Sequence, residues 1–206
     1  MKTRRIYWFV LVISLLLFSV TTYAQQNETL IKAIDAKVAA IEEFIKNNSN
    51  NYRVDEDIKD DSKEQPFTTN TFYSELNDSG RVVMHETIPT SESGDWSATY
   101  THYFDEHGHT IFFKFYSSSF NSGCADVLRI TKRYYFDNKF NLIKKEVTYT
   151  DKDDKPIKDT KRCDTYGLQR EEPRIYKSHK DITREINKSK TPYIKEKTNE
   201  SRREGR

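Results

Sequence analysis

Three histidines form the densest group of side chains in this sequence that could perform chemistry. His102, His107 and His109 lie in one short stretch, with Asp105 and Glu106 between them. Imidazole nitrogen and carboxylate oxygen are ligands that zinc and similar ions accept. A solvated turn that binds no metal is the favoured interpretation, because His107 and His109 flank Gly108 in a turn, where solvated polar residues are ordinary. The alternative is a metal site, since a hairpin could bring His102 and His109 together on paired strands.

Other catalytic patterns are missing from the sequence. It contains no G-x-S-x-G nucleophile motif, no phosphate-binding glycine pattern and no zinc-finger cysteine spacing. Adjacent acids such as Asp153 and Asp154 lie in polar stretches, where solvated carboxylates are the ordinary interpretation. The sequence therefore favours a protein that is not an enzyme and has no cofactor, with a metal-assisted hydrolase as the alternative.

The N-terminus has the pattern of a secretory signal peptide over residues 1–24. Three basic residues precede an apolar run from Ile6 to Val20, and small and polar residues follow up to Ala24. The run is shorter than the about 20 residues of a membrane span, so we expect cleavage after Ala24 and no stable span afterwards. An uncleaved anchor is the alternative. Cleavage removes the three basic residues and changes the formal net charge from +2 to about −1, which gives no evidence for a nucleic-acid partner.

Export would place the cysteines of this chain in an oxidising compartment. Cys124 and Cys163 are the two cysteines of the chain, and in an exported protein such a pair is expected to form a disulfide. A redox pair would need a closer spacing. The sequence thus predicts a periplasmic or secreted protein with a Cys124–Cys163 bridge.

The spacing of apolar residues changes along the chain. Residues 25–47 carry apolar side chains at steps of three and four, which predicts a helix with one apolar stripe. Residues 48–66 are polar and predict a linker. Residues 67–168 alternate apolar and polar side chains between short turns, which predicts strands. The predicted fold is α+β: the N-terminal helix packed on an antiparallel meander of about six or seven strands.

Two stretches nearly repeat each other: YFDEHGHTI from Tyr103 and YFDNKFNLI from Tyr135. Each runs from an aromatic strand end through an Asp turn into an apolar strand, which predicts one hairpin per copy. They resemble the tyrosine-aspartate and MORN-like hairpin repeats of secreted bacterial proteins, although the second copy lacks the turn glycine. The resemblance implies a scaffold and no catalytic residue. The N-terminus and the Tyr- and Lys-rich strands also resemble exported proteins of Bacteroidetes-type bacteria.

A sheet has two faces, and a single helix covers only part of one. We therefore expect the alternate set Tyr103, Phe112, Tyr116 and Tyr135 to form an exposed aromatic surface that binds a ligand. The alternative is that these rings pack on Lys and Arg stems of neighbouring strands.

The last segment, residues 169–206, is dominated by charged and hydroxyl side chains, and basic residues outnumber acidic ones. This composition predicts a disordered, flexible tail. Because acids are interspersed, nucleic-acid binding is not expected, and a solvated tail or one that docks on the acidic body is favoured.

These observations together predict an exported, non-catalytic binding protein. Its partner would be an envelope or extracellular protein, peptide or glycan that contacts the aromatic sheet face. The alternatives are the metal-assisted hydrolase built on the histidines and a structural envelope component that associates through a sheet edge.

Overall fold

The computed structural model describes the backbone of residues 2–47, 52–60, 68–76, 80–91, 93–163 and 172–186. Side chains are described for 25–47, 80–89, 91, 93–163 and 172–186. The chain begins with helix α1 (Lys2–Asn47) and ends, within these residues, with a helical stretch over 179–186. Between them lie β1 (Tyr52–Asp60), β2 (Thr68–Leu76), β3 (Val82–Ser91), β4 (Trp96–Phe104), β5 (Thr110–Phe120), β6 (Val127–Phe136), β7 (Leu142–Thr150) and a 3-10 turn (Thr160–Arg162).

The strands form one antiparallel sheet in the order β1-β2-β3-β4-β5-β6-β7, so each strand pairs with the next one along the chain. Side chains are described for the part from β3 to β7. The predicted architecture, an N-terminal helix with an antiparallel sheet, is confirmed. Strand β1 lies inside the predicted linker 48–66, so that prediction was wrong for residues 52–60; the rest of the linker lies outside the described residues.

Helix α1 is continuous across the predicted cleavage point at Ala24. Its described side chains place Ile34, Val38 and Ile41 on one buried stripe, as the spacing of three and four residues requires. In the part of the chain with described side chains, no helix is long and apolar enough to cross a membrane. The signal peptide stays a prediction.

The sheet has a different apolar cluster on each side. On the first side, called the helix face, Ile34, Val38 and Ile41 of α1 pack on Met84, Tyr103, Phe112 and Tyr135. On the other side, called the strap face, the buried cluster is Ala98, Phe113, Phe115, Leu128, Ile130, Tyr134 and Phe136. The alternation of side chains along each strand separates the two sets.

The strap face is covered by chain that follows β7. Ile157 and Cys163 pack on it from the loop after β7, and Ile175 packs on it from residues 172–186, called the strap. Strap residue Ile182 is 4% exposed. The prediction of a flexible tail over 169–206 was therefore wrong for residues 172–186, where docking on the body is found; the rest lies outside the described residues.

The two near-repeats form the same kind of turn. Asp105 Oδ1 accepts hydrogen bonds from the backbone N–H groups of His107 and His109, at 2.9 and 2.8 Å. In the second copy, Asp137 Oδ1 accepts from Lys139 and Asn141 at the same distances. The Asp side chain thus organises each hairpin from within its own turn.

In the second copy, a packed phenylalanine, Phe140, occupies the position of the turn glycine. Gly108 has φ 77°, and Phe140 takes the equivalent position with φ 67°, a region that L side chains rarely enter. The Phe140 ring stacks on Phe136 with centroids 4.5 Å apart. A third turn of this kind follows β7, where Asp151 accepts from two backbone N–H groups and Asp154 has φ 61°. No YF pair precedes this turn, so the repeat pattern did not predict it.

Candidate functional site

The predicted aromatic surface lies mostly under the helix. Tyr103, Phe112 and Tyr135 are 3%, 4% and 4% exposed, because α1 packs on them. The prediction that they form an exposed binding surface was therefore wrong. Tyr116 is the exception, since it lies two rows from the row that α1 covers and is half-buried.

Two of these buried tyrosines join the sheet to α1. Tyr103 Oη donates to Glu42 Oε1 at 2.8 Å, and Tyr135 Oη donates to Asp35 Oδ1 at 3.0 Å. Burial, followed by the hydrogen bond to Asp35, raises the pKa of Tyr135 to about 12. Burial and Glu42 raise the pKa of Tyr103 in the same direction. Both hydroxyls thus stay protonated donors at neutral pH.

The helix face becomes polar in steps as the cover of α1 ends. The row of cross-strand neighbours under the helix is Met84, Tyr103, Phe112, Tyr135 and Lys144. The next row is Glu86, Thr101, Lys114, Arg133 and Glu146, and the row after it is Thr99, Tyr116, Thr131 and Thr148. The face changes from aromatic to charged to hydroxyl within three rows.

An open cleft of about 360 Å³ lies at this boundary. The end of α1 forms one wall, and β3, β4 and β5 form the floor. The cleft is lined by Glu42, Ile45, Lys46, Met84, Glu86, Thr99, Thr101, Tyr103, Lys114 and Tyr116. Of the four residues predicted to bind a ligand, Tyr103 and Tyr116 line the cleft, whereas Phe112 and Tyr135 do not.

The charges in the cleft are not equally engaged. Glu42 accepts the Tyr103 hydroxyl, and Glu86 accepts the Thr101 hydroxyl at 2.9 Å. Lys46 and Lys114 make no ion pair or side-chain hydrogen bond with any described residue. The cleft therefore presents two uncommitted ammonium groups beside an aromatic ring, which suits a partner with an anionic group next to an apolar or sugar surface.

The three candidate histidines do not come together. His102 is 3% exposed on the strap face, and its Nε2 accepts the Tyr176 N–H at 3.2 Å. Burial lowers its pKa to about 3. His107 and His109 lie exposed in the β4–β5 turn with ring centroids 6.2 Å apart. The predicted hairpin exists, but alternation along β4 turns His102 into the core.

The two acids of that stretch also have structural partners. Asp105 organises the turn, and Glu106 Oε2 lies 2.6 Å from Lys37 Nζ of α1. The Lys37 hydrogen bond lowers the pKa of Glu106 to about 2. Among the described residues, no three His, Cys, Asp or Glu side chains are placed to hold a metal ion. The metal site predicted at His102, His107 and His109 is not assembled.

The predicted disulfide is confirmed. Cys124 and Cys163 are joined with an S–S distance of 2.05 Å, which ties the loop before β6 to the 3-10 turn. Gly123 has φ 74°, and a Cβ there would lie 2.9 Å from the Arg162 carbonyl oxygen. A glycine is thus required where the two loops meet. The bridge closes a loop of 39 residues, worth about 4 kcal/mol on the chain-entropy model.

Comparison with protein-family models, curated proteins and solved structures finds no match to this chain. The resemblance of residues 103–111 and 135–143 to tyrosine-aspartate and MORN-like hairpins therefore stays a prediction.

Proposed function

We propose that this chain is an exported, non-catalytic binding protein that acts in the periplasm or outside the cell. The proposed partner is a protein, peptide or glycan. The cleft at the end of α1 is the observation that carries the proposal. The disulfide and the signal-like N-terminus support export.

The cleft replaces the broad aromatic face as the proposed contact surface. Its floor keeps one ring of the original set accessible, Tyr116, and adds the ammonium group of Lys114 on the neighbouring row. Tyrosine rings supply contact area with few rotatable bonds, and lysine supplies attraction to an anionic group. The partner is thus expected to place an anionic group over Lys114 and Lys46 and an apolar or sugar surface against Tyr116.

The proposal is tested by crosslinking from inside the cleft. A benzoylphenylalanine at Tyr116 is compared with one at Phe120, which is 49% exposed at the far end of the same strand. In native envelopes, position 116 is expected to give a discrete adduct, and excess unlabelled protein should compete it away. Position 120 should not give this adduct. Equal adducts from both positions would contradict the proposal. It would also be contradicted if position 116 gave no adduct and the protein did not bind isolated envelope polysaccharide.

A charge reversal gives the matched variant. Lys114→Glu should weaken binding of the recovered partner or polysaccharide by about tenfold, or about 1.4 kcal/mol. Lys139→Glu, in the exposed β6–β7 turn, is the control for net charge and should leave affinity unchanged. Titration calorimetry of the two variants measures both effects. Equal losses in both would indicate attraction to overall charge and would remove the cleft as the site.

A further inference from the structure

Backbone groups hold the strap on the strap face beside the β4–β5 turn. Thr110 N–H donates to the Lys177 carbonyl at 2.9 Å, and Thr110 Oγ1 donates to the Tyr176 carbonyl at 2.7 Å. His179 N–H donates to the Gly108 carbonyl at 3.1 Å. These contacts fix the path of the strap with little dependence on its side chains.

Two side chains anchor the ends of this path. Glu172 accepts hydrogen bonds from Tyr134 Oη at 2.7 Å and from Lys145 Nζ at 2.6 Å. At the other end, Ile182 is buried. Ile175 and Ile182 are the apolar aliphatic anchors of the strap, and each directional bond adds a sizeable share of its docking.

A further contact with the strap is made by a buried histidine, His102. His102 Nε2 accepts the Tyr176 N–H, so the proton of the neutral ring lies on Nδ1. That Nδ1 is buried and has no hydrogen-bond partner among the described residues. The ring packs on Phe113 at 4.7 Å and on Tyr176 at 5.8 Å between centroids. The site accepts one neutral tautomer of imidazole.

Protonation is incompatible with this arrangement. An imidazolium carries N–H on both nitrogens, so Nε2 would point a donor at the Tyr176 donor. It would also place a charge in an apolar pocket, which is costly unless the charge is paired. We propose that the strap is a pH-sensitive cover: protonation of His102 releases residues 172–182 and uncovers the apolar strap face.

The charged neighbours favour release over a compensating pair. From β3, His85 lies opposite His102, and a protonated His85 would oppose a second positive charge. From the strap, Arg174 lies over the Tyr176 ring at 5.0 Å, and His179 lies 6.1 Å from His85. From β5, the contact is the uncharged Phe113 ring. Within the described residues, no carboxylate forms an ion pair or a hydrogen bond with His102.

The pH window follows from two groups. The pKa of His102 is lowered when the strap is docked, so the neutral form contributes docking stability above about pH 6.5 that is lost as pH falls below that value. The pKa of Glu172 is lowered mainly by its hydrogen bond from Lys145, so its contribution is lost below about pH 4.3. A change between pH 7.5 and 5.5 therefore excludes Glu172 and reports a histidine, and variants distinguish His102 from His85 and His179.

The experiment is site-resolved amide hydrogen exchange of the full chain at these two pH values, expressed as protection factors. Protection of the Tyr176, His179 and Thr110 amides should fall about tenfold from pH 7.5 to 5.5, as expected for one histidine that must be neutral to dock. Amides of α1 around Val38 are the internal control and should not change. Equal protection of the strap amides at both pH values would overturn the proposal.

Variants assign the change to one ring. His102→Gln keeps a neutral acceptor at all pH values and should abolish the tenfold change, whereas His107→Gln in the exposed turn should retain it. If His102→Gln leaves the strap undocked at both pH values, His85→Gln and His179→Gln decide instead. Both variants must retain the tenfold change in protection of the strap amides. Loss of that change in either variant would assign the switch to the substituted histidine and overturn the role of His102.

Discussion

The two faces of the sheet are covered in different ways. On the helix face, one helix buries an apolar stripe on an aromatic row, and Tyr103 and Tyr135 donate to its carboxylates. On the strap face, a charge-rich segment lies across a larger aromatic cluster and is held by backbone hydrogen bonds and one histidine. The disulfide-closed loop packs on the same cluster.

The difference lies in what each cover depends on. Apolar burial is non-directional and is shared over many atoms, so no single protonation event near neutral pH removes the helix. The strap depends on a few directional bonds, one of them to a titratable acceptor. We therefore expect the strap to open first and locally, and α1 to leave the sheet only on global unfolding.

The largest expected effect is loss of the bridge under the strap face. Replacing Cys124 and Cys163 together by serine should lower the free energy of unfolding by about 4 kcal/mol, because the denatured chain regains the entropy of an open loop. Urea denaturation with and without reductant measures it. In reductant, the free energy of unfolding of the wild type should fall to that of the double variant. A wild type whose stability does not change with reductant would contradict the account.

The next largest effect is a difference in stability loss between a buried isoleucine of α1 and a buried isoleucine of the strap. Ile34→Ala removes a core side chain of α1 and should lower the free energy of unfolding by about 3 kcal/mol. Ile182→Ala should lower it by about 1 kcal/mol or less, since the strap can open without global unfolding. Its loss should show instead as faster exchange of the strap amides. Equal losses in urea would mean that both covers unfold with the sheet.

The smallest effect concerns the tyrosine hydroxyls of the helix face. Tyr103→Phe and Tyr135→Phe each remove one hydrogen bond to a carboxylate of α1 and keep the ring, so each should cost about 1 to 1.5 kcal/mol. Tyr116→Phe is the matched control, since that ring lies beyond the helix, and should change stability little. Thermal unfolding compares the three. A loss in the control equal to the others would contradict the role given to the carboxylates.

Local pattern predicted much of this fold from the sequence. Alternation identified the strands around Phe113 and Ile130, spacing of three and four identified the stripe of α1, and the Asp turns identified the hairpins. The expected export of the chain to an oxidising compartment predicted the disulfide. These features are encoded within a few residues of one another.

What the sequence did not predict depends on distant partners. The segment 52–60 is too polar for a periodic signal, and it becomes a strand by pairing with β2. The composition of the strap predicts a tail because the docking uses backbone atoms, which composition does not reveal. The aromatic set around Phe112 was placed in solvent because the cover of the second face was missing from the prediction.

The most direct test of the account is the protonation state of His102, measured from imidazole nitrogen chemical shifts in the labelled full chain. The account predicts that Nδ1 carries the proton at pH 7.5, that Nε2 is an unprotonated acceptor, and that the ring becomes charged only as the strap amides lose protection. A protonated Nε2 at pH 7.5, or titration near pH 6.5 with the strap still docked, would contradict it.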